Sequence, residues 1–472
     1  MGLLFGRISA RWRADGGYGR LLAVAVPLIL SNGAFSIQQF IDRVFLAWYS
    51  PDAIAASAPS GMFNFMILSL FINTAAYAGT FVAQYHGAGR DDRVGPAIWQ
   101  SLYLSVAGGA LMLLLVPAAA PIFHLVGHAP GVERDEIVYF RILCAGSFFP
   151  IANAALSAFY SGLGKTWPIM WINFGITGLN VILDYLLIFG ALGAPAMGIA
   201  GAAIATVAAT ACGTVALLLS VLLGRGHSLY RIRRPSVDAD LLRRMVRYGL
   251  PSGLQVMIDM TGFTIFILLV GRLGTDELAA TNIALNINML AFMPIIGLGI
   301  AVSVVVGQEI GRGSVRLAEQ SAYSGVHLAL VYMICIGAMY LLLPGLFLLP
   351  YTVNAAPAAY GSIARTARVL LRFVALYSLF DALNITFSSA IKGAGDTRFV
   401  VWVTTILSLS LLTIPTLLIV FVFRLNIYAA WAAATFYITM LGVVYFLRFR
   451  GGAWKRMRVI EPRLEDASMG SG

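Results

Sequence analysis

The run from Thr166 to Gly224 carries one charged side chain, Asp184. Around it stand Trp171, Ile172, Val181, Ile182, Leu183, Leu186, Leu187 and Ile188, followed by Ile199 to Ile204 and Val215 to Val221. Apolar runs of this length read as membrane-spanning helices. An acid near the centre of such a helix costs about 2.5–3.5 kcal/mol on insertion scales, so its carboxylate needs a partner or a task. Asn180 lies four residues earlier and therefore on the same helix face. An amide oxygen beside a carboxylate is a starting point for a cation or proton site. Capping of the acid by neighbouring helices is the structural alternative.

The same pattern fills the chain. Of 472 residues, 59% are hydrophobic and 11% charged, with a mean hydropathy of +0.84. A soluble domain is about 25% charged. Hydropathy predicts an all-α membrane protein with twelve transmembrane helices, at 20–48, 54–85, 97–119, 137–161, 168–190, 198–223, 243–271, 278–309, 317–348, 366–391, 399–423 and 427–447. The longest polar stretch, Gly224 to Asp240, is too short to fold alone.

The net charge of +11 is distributed by loop. With twelve spans, the termini and the even-numbered loops share one side. That side holds 24 of the 32 lysines and arginines, among them Arg7, Arg11, Arg13, Arg20, Arg90, Arg93, Arg225, Arg244, Lys392 and Arg463. The positive-inside rule then places both termini in the cytoplasm. This basic balance therefore does not point to nucleic acid. Cys144, Cys212 and Cys335 lie in apolar spans with no metal or disulfide spacing and read as small hydrophobes. The histidines, including His227, form no ligand cluster by spacing.

The two halves of the chain repeat. At an offset of 224, Pro27 matches Pro251, and Gln84, Gly87 and Gly89 match Gln308, Gly311 and Gly313. At an offset of 231, Gly162, Gly164 and Thr166 match Gly393, Gly395 and Thr397. A register held this far predicts an internal duplication. Each half has six spans, an even number, so the repeats are parallel and related by a pseudo-two-fold axis along the membrane normal. The expected organisation is an N-terminal segment (1–19), a first six-helix lobe (20–223), a basic linker (224–240), a second lobe (241–449) and a tail (450–472). Both terminal segments are expected in the cytoplasm.

The intramembrane acids break the repeat. Asp42 falls opposite Phe266, Asp184 opposite Pro415, Asp259 opposite Phe35 and Asp381 opposite Pro150. The duplication supplies a scaffold on which the acids were placed separately. Gln38 shares a helix face with Asp42 and is a candidate substrate contact, and Tyr377 and Asn384 share a face with Asp381. Thr206 follows the small residues Gly201-Ala-Ala-Ile-Ala, which permit close helix approach. Its hydroxyl could ligate a hard cation. Met257, Met260, Met289 and Met293 offer flexible, polarizable contacts for hydrophobic substrates, with packing or lipid contact as the alternative. Gly162-Leu-Gly-Lys-Thr166 resembles the end of a phosphate loop, but Phe159 stands where that motif needs glycine, so ATP is not expected.

The twelve-span duplicated layout is joined by Pro27 to Leu46, Val82-Ala-Gln-Tyr-His-Gly-Ala-Gly-Arg90, Asn180-Val-Ile-Leu-Asp184, Gly249-Leu-Pro251 and Lys392-Gly-Ala-Gly-Asp-Thr397. Together they resemble the multidrug and toxic compound extrusion (MATE) family, its bacterial NorM-like branch above all. The resemblance runs over residues 18 to 450. It implies a V-shaped, two-lobed transporter that exports organic, often cationic, compounds in exchange for Na⁺ or H⁺. It also implies a first-lobe cation site at Asp42, Asn180, Asp184 and Thr206, with Na⁺ as a possible ligand. The second-lobe acids of the pattern map onto Asp259 and Asp381 with Tyr377. The seventh-span acid is commonly Glu in the pattern and is Asp259 here.

The expectation is therefore a cation-coupled antiporter of the bacterial inner membrane. Its partners are small organic cations and membrane lipids, with no cofactor beyond the coupling ion. The monomer is the expected unit, since one chain forms both lobes. A flippase for lipid-linked saccharides is the rival transporter, with Arg365, Arg368 and Arg372 as its strongest feature. A membrane-embedded enzyme lacks any recognisable metal or nucleophile motif.

Overall fold

A computed structural model of the chain describes residues 11–12, 14–224, 228–352 and 357–461. Arg7, Arg13, Arg225, His227 and Arg463 lie outside the described residues. The first half comprises α1 (Tyr18–Tyr49), α2 (Pro51–Ala76), α3 (Ala78–Gly87), α4 (Val94–Leu113), α5 (Ala119–Val126), α6 (Pro130–Ala145), α7 (Phe148–Gly162), α8 (Trp167–Phe189) and α9 (Ile199–Leu223). The second comprises α10 (Ala239–Val270), α11 (Thr275–Gly311), α12 (Val315–Leu342), α13 (Pro344–Thr352), α14 (Pro357–Ala394), α15 (Thr397–Leu407), α16 (Ile414–Leu417) and α17 (Ile427–Arg450). Among the described residues, ten helical spans are long and apolar enough to cross a membrane, and α6 with α7 makes an eleventh if counted as one.

Where the predicted spans miss, proline and glycine account for it. The expected span 97–119 ends at Leu113, and a separate helix begins at Ala119 after Pro117. The expected span 137–161 is bent by 42° between Ala145 and Phe148. Pro150 lacks an N–H and crowds the carbonyl four residues back, at Gly146, so the helix breaks there. The expected span 317–348 stops at Leu342, because the residue before Pro344 is driven out of helical backbone. Leu343 sits at φ −128°, ψ 44°.

With lipid as solvent, packing rather than the hydrophobic effect joins helices, and small residues set how close they come. α9 crosses α8 at Gly201, where a Cβ would stand 2.6 Å from the Leu187 carbonyl. The halves meet by exchange. α1 packs on α11, and its repeat mate α10 packs on α2, the mate of α11. One buried core is drawn from the second half with Leu21 as its single guest, and two smaller cores come wholly from the first. A fourth, around Phe81, Tyr85, Leu298 and Val459, is shared.

The repeated glycines and glutamines meet at one end of this seam. A Cβ on Gly87 would stand 2.0 Å from the Gln308 carbonyl, and one on Gly311 2.2 Å from the Gln84 carbonyl. Gln84 Nε2 donates to the Gly393 carbonyl at 2.9 Å, and Gln308 Nε2 donates to the Gly162 carbonyl at 2.8 Å. These are the same bond made twice in the two repeat registers. Tyr77 Oη donates to the Lys392 carbonyl at 2.8 Å, and Arg20 pairs with the fully buried Glu309 across the seam. The side-chain hydrogen bonds joining the halves gather at this end, which also carries Arg90, Arg93 and Arg244.

Candidate functional site

Asp42 comes from α1, Asn180 and Asp184 from α8, and Thr206 from α9. α1 and α9 both pack on α8, so three helices bring these side chains together. Asn180 and Asp184 are 0% exposed and Asp42 6%. The Asp42 and Asp184 carboxyls face one another across the Asn180 amide. Oriented with its NH₂ toward the acids, the Asn180 amide donates to Asp42 Oδ1 at 2.9 Å and Asp184 Oδ2 at 3.3 Å. The Thr206 hydroxyl lies 3.4 Å from the same amide. Asp184 Oδ1 is buried with no hydrogen-bond partner. Two buried carboxyls held on one amide, one with an orphaned oxygen, need a proton or a cation to balance their charge.

Gln38 belongs to this cluster. It is 3% exposed, and its Nε2 lies 3.2 Å from the Asn180 amide. Tyr139, on α6, was not singled out in the sequence, yet its side chain sits in the field of both acids. No sequence signal ties it to Asp42, nearly a hundred residues earlier.

The second half holds another pocket. Asp259 on α10 accepts from Gln255 Nε2 at 2.7 Å and from Tyr437 Oη, on α17, at 2.9 Å. Asp381 on α14 accepts from Asn384 at 3.0 Å, and Asp259 and Asp381 are close enough to repel. Lys392 donates to Gln255 Oε1 at 3.0 Å, so an ammonium and a carboxylate share one amide. Tyr377 is buried and feels Asp381, but the hydroxyl on Asp259 comes from Tyr437. Beside Tyr437, a π-helical segment at Ser408–Thr413 interrupts the helix that continues α15, and Ser408 packs on α10 at Gly262. Such segments occur often at functional sites. Met257, Met260 and Met293 are half-buried, while Met289 is 56% exposed.

The donors in the first cluster are all hard oxygen or amide groups. Among the described residues, no three His, Cys, Asp or Glu side chains come together to hold a metal. Arg365, Arg368 and Arg372 are exposed on α14.

The family model described as MatE matches the chain twice, at residues 27–186 and 251–419. This chain belongs to the MatE family. Its members are multidrug efflux transporters and not enzymes. The match falls once in each half of the chain, with residues 187–250 between the two. The chain is 32% identical over 386 residues to the multidrug resistance protein PmpM of Pseudomonas aeruginosa, covering 80% of this chain and 79% of that relative. It is 25% identical over 445 residues to the probable multidrug resistance protein NorM of Thermotoga maritima, covering 93% and 94%. Its fold is similar to a solved MATE transporter described as outward-facing, with a TM-score of 0.83 at 20% identity over 93% of this chain and 96% of that one. Acids stand in the helices of both halves, at Asp42 and Asp184 and at Asp259 and Asp381.

Proposed function

We propose that this MatE chain is a cation-coupled antiporter that exports organic, often cationic, compounds across the bacterial inner membrane. The observation that carries this reading is the buried Asp42–Asp184 pair with an unpartnered carboxyl oxygen and Asn180 turned onto both acids. A proton or Na⁺ entering that cluster removes the repulsion and lets α1 and α8 pack differently, which shifts the balance between two conformations. Thr206 completes the oxygen set, and Asp259, Asp381 and Tyr377 form a second cation-binding region. Met257, Met260, Met289 and Met293 contribute adaptable apolar surface for substrate.

The architecture proposed is twelve spans in two six-helix lobes, residues 20–223 and 241–449, related by a pseudo-two-fold axis along the membrane normal and working as a monomer. It is supported by the doubled family match, the doubled glutamine bond and the 20-residue α4, which supplies the twelfth crossing. Both termini are assigned to the cytoplasm by the positive-inside rule. The closed seam then faces the cytoplasm, and the conformation is outward-facing. One charge moving through 100 mV is worth about 2.3 kcal/mol, enough to bias two states more than tenfold.

The test uses vesicles loaded with a fluorescent organic cation, under either a Na⁺ or a pH gradient. Efflux driven by one gradient and absent in Asp184→Asn supports the assignment and names the ion. Equal efflux by wild type and variant sinks it. No efflux under either gradient turns attention to lipid-linked substrates.

A further inference from the structure

The C-terminal segment does not hang free of the helices. After α17 the chain turns through Ala453–Arg456 and runs back over the closed end of the seam. Val459 is 1% exposed there and joins the shared core. It lies against Gly395, where an added Cβ would stand 2.9 Å from the Val459 methyl. The Val459 N–H donates to Gln84 Oε1 at 2.9 Å, so one glutamine holds the tail by its oxygen and the Gly393 carbonyl by its nitrogen. The Val459 carbonyl accepts from Arg244 Nη1 at 3.2 Å.

Two residues on, Glu461 meets a converging set of donors. Its carboxylate accepts from Tyr85 Oη at 2.8 Å, Arg90 Nη2 at 2.5 Å and Arg244 Nη1 at 2.6 Å, with Arg93 Nη2 at 3.4 Å. Arg90 Nη1 also reaches the Glu461 carbonyl, at 3.2 Å. Arg90 and Arg93 stack near the Tyr85 ring, at 5.3 Å and 6.0 Å from its centroid. Two neighbouring acids share the arginines without filling this place: Asp238 pairs with Arg93 at 2.9 Å, and Asp240 with Arg244 Nε at 2.9 Å. Without a carboxylate between them, three guanidiniums would face one another in a part-buried cleft, which Coulomb repulsion opposes.

The donors belong to both halves. Tyr85 lies on α3 and Arg90 and Arg93 between α3 and α4, whereas Arg244 lies on α10 and Glu461 itself follows α17. One carboxylate cannot hold both sets once the halves part at this end. We propose that Tyr85, Arg90, Arg93 and Arg244 form a carboxylate-receiving site on the seam, filled by the chain's own Glu461, and that this contact latches that end shut. The latch rests on the two-lobed alternating-access reading, and it must release each time the closed end opens.

The test reads distance rather than transport. Spin labels are placed at the exposed Lys165 and Arg398, one in each half near this end, in full-length protein with its three cysteines replaced by serine. Double electron–electron resonance in nanodiscs then gives the share of molecules with a widened seam. In Glu461→Gln, which keeps the side chain's shape, the open-to-closed ratio is expected to rise about tenfold, the scale of a charge-assisted hydrogen bond. Arg90→Gln, which removes a first-half donor from the same carboxylate, is expected to shift the ratio in the same direction by less, and the double variant to fall short of the sum, since both changes act on one carboxylate. An unchanged distance distribution in both single variants overturns the latch, as does an additive shift in the double variant. Efflux is measured alongside. A widened seam without drug export in any form keeps the latch and rejects the antiporter, whereas normal export with no widening does the reverse.

Discussion

At the scale of single residues, chemistry is concentrated where charge is hardest to bury. Asp184→Asn keeps the shape of the side chain but removes the carboxylate that the cluster is built around. Coupled export is expected to fall to background while the protein still purifies as a single folded species, which size-exclusion chromatography and a thermal melt check. In the second half, Tyr437→Phe takes one donor from Asp259 and leaves the Gln255 amide bonded to it. A net loss of about 1 kcal/mol is expected for that bond, read as a roughly fivefold fall in export at fixed driving gradient. Part of this was legible. Asn180 and Asp184 stand four residues apart, and that spacing alone put them on one face. The same spacing relates Gln255 to Asp259, so that contact was available to the same reasoning. Tyr437 and Tyr139 were not, because nothing in a sequence marks a tyrosine 178 residues away as the partner of an acid.

At the scale of helices, the repeats matter through their crossings. Gly311 is one of the two glycines at which α11 and α3 cross, and a side chain there collides with the Gln84 backbone rather than with a movable group. Gly311→Val is expected to destabilise the closed seam by about 1–3 kcal/mol, the usual range for overpacking. The measurement is a lowered thermal midpoint in detergent together with a wider seam between the Lys165 and Arg398 labels. The periodic recurrence of Gln84, Gly87 and Gly89 at Gln308, Gly311 and Gly313 was visible in the sequence. Its meaning was not, since a repeat shows that two segments are alike without showing that they touch. Helix ends were missed for a related reason. Hydropathy averages over a window and passes across Pro117, Pro150 and Pro344, where backbone geometry stops the helix.

At the scale of the whole molecule, the loop charges and the closed end belong together. Burial pushes the Glu461 carboxyl up, but hydrogen bonds from its own backbone, Tyr85 and Arg244 outweigh it and hold the group at about 2, below its ordinary 4.5. A depressed carboxyl adds stability that is complete above about pH 4.5 and is lost as pH falls toward 2. The seam distance is therefore expected to show no dependence on this group between pH 8 and pH 5, and to widen only in strong acid, which the same spin labels report. A step in that distance near neutral pH in wild type, retained in Glu461→Gln, would trace to other groups. The basic residues of the even-numbered loops were readable as one population on one side. That three of them converge on a tail acid was not, because nothing in a sequence ties an acid at 461 to arginines at 90, 93 and 244.

The two glutamine bonds of the seam end on main-chain carbonyls, at Gly393 and Gly162. Every amino acid supplies that oxygen, so no substitution at the receiving position can delete the acceptor. A genetic screen for chains that open too readily at this end will therefore recover changes at Gln84 and Gln308, and displacements of the glycine backbone, but no loss-of-acceptor alleles. Inherited variation at this gate is one-sided.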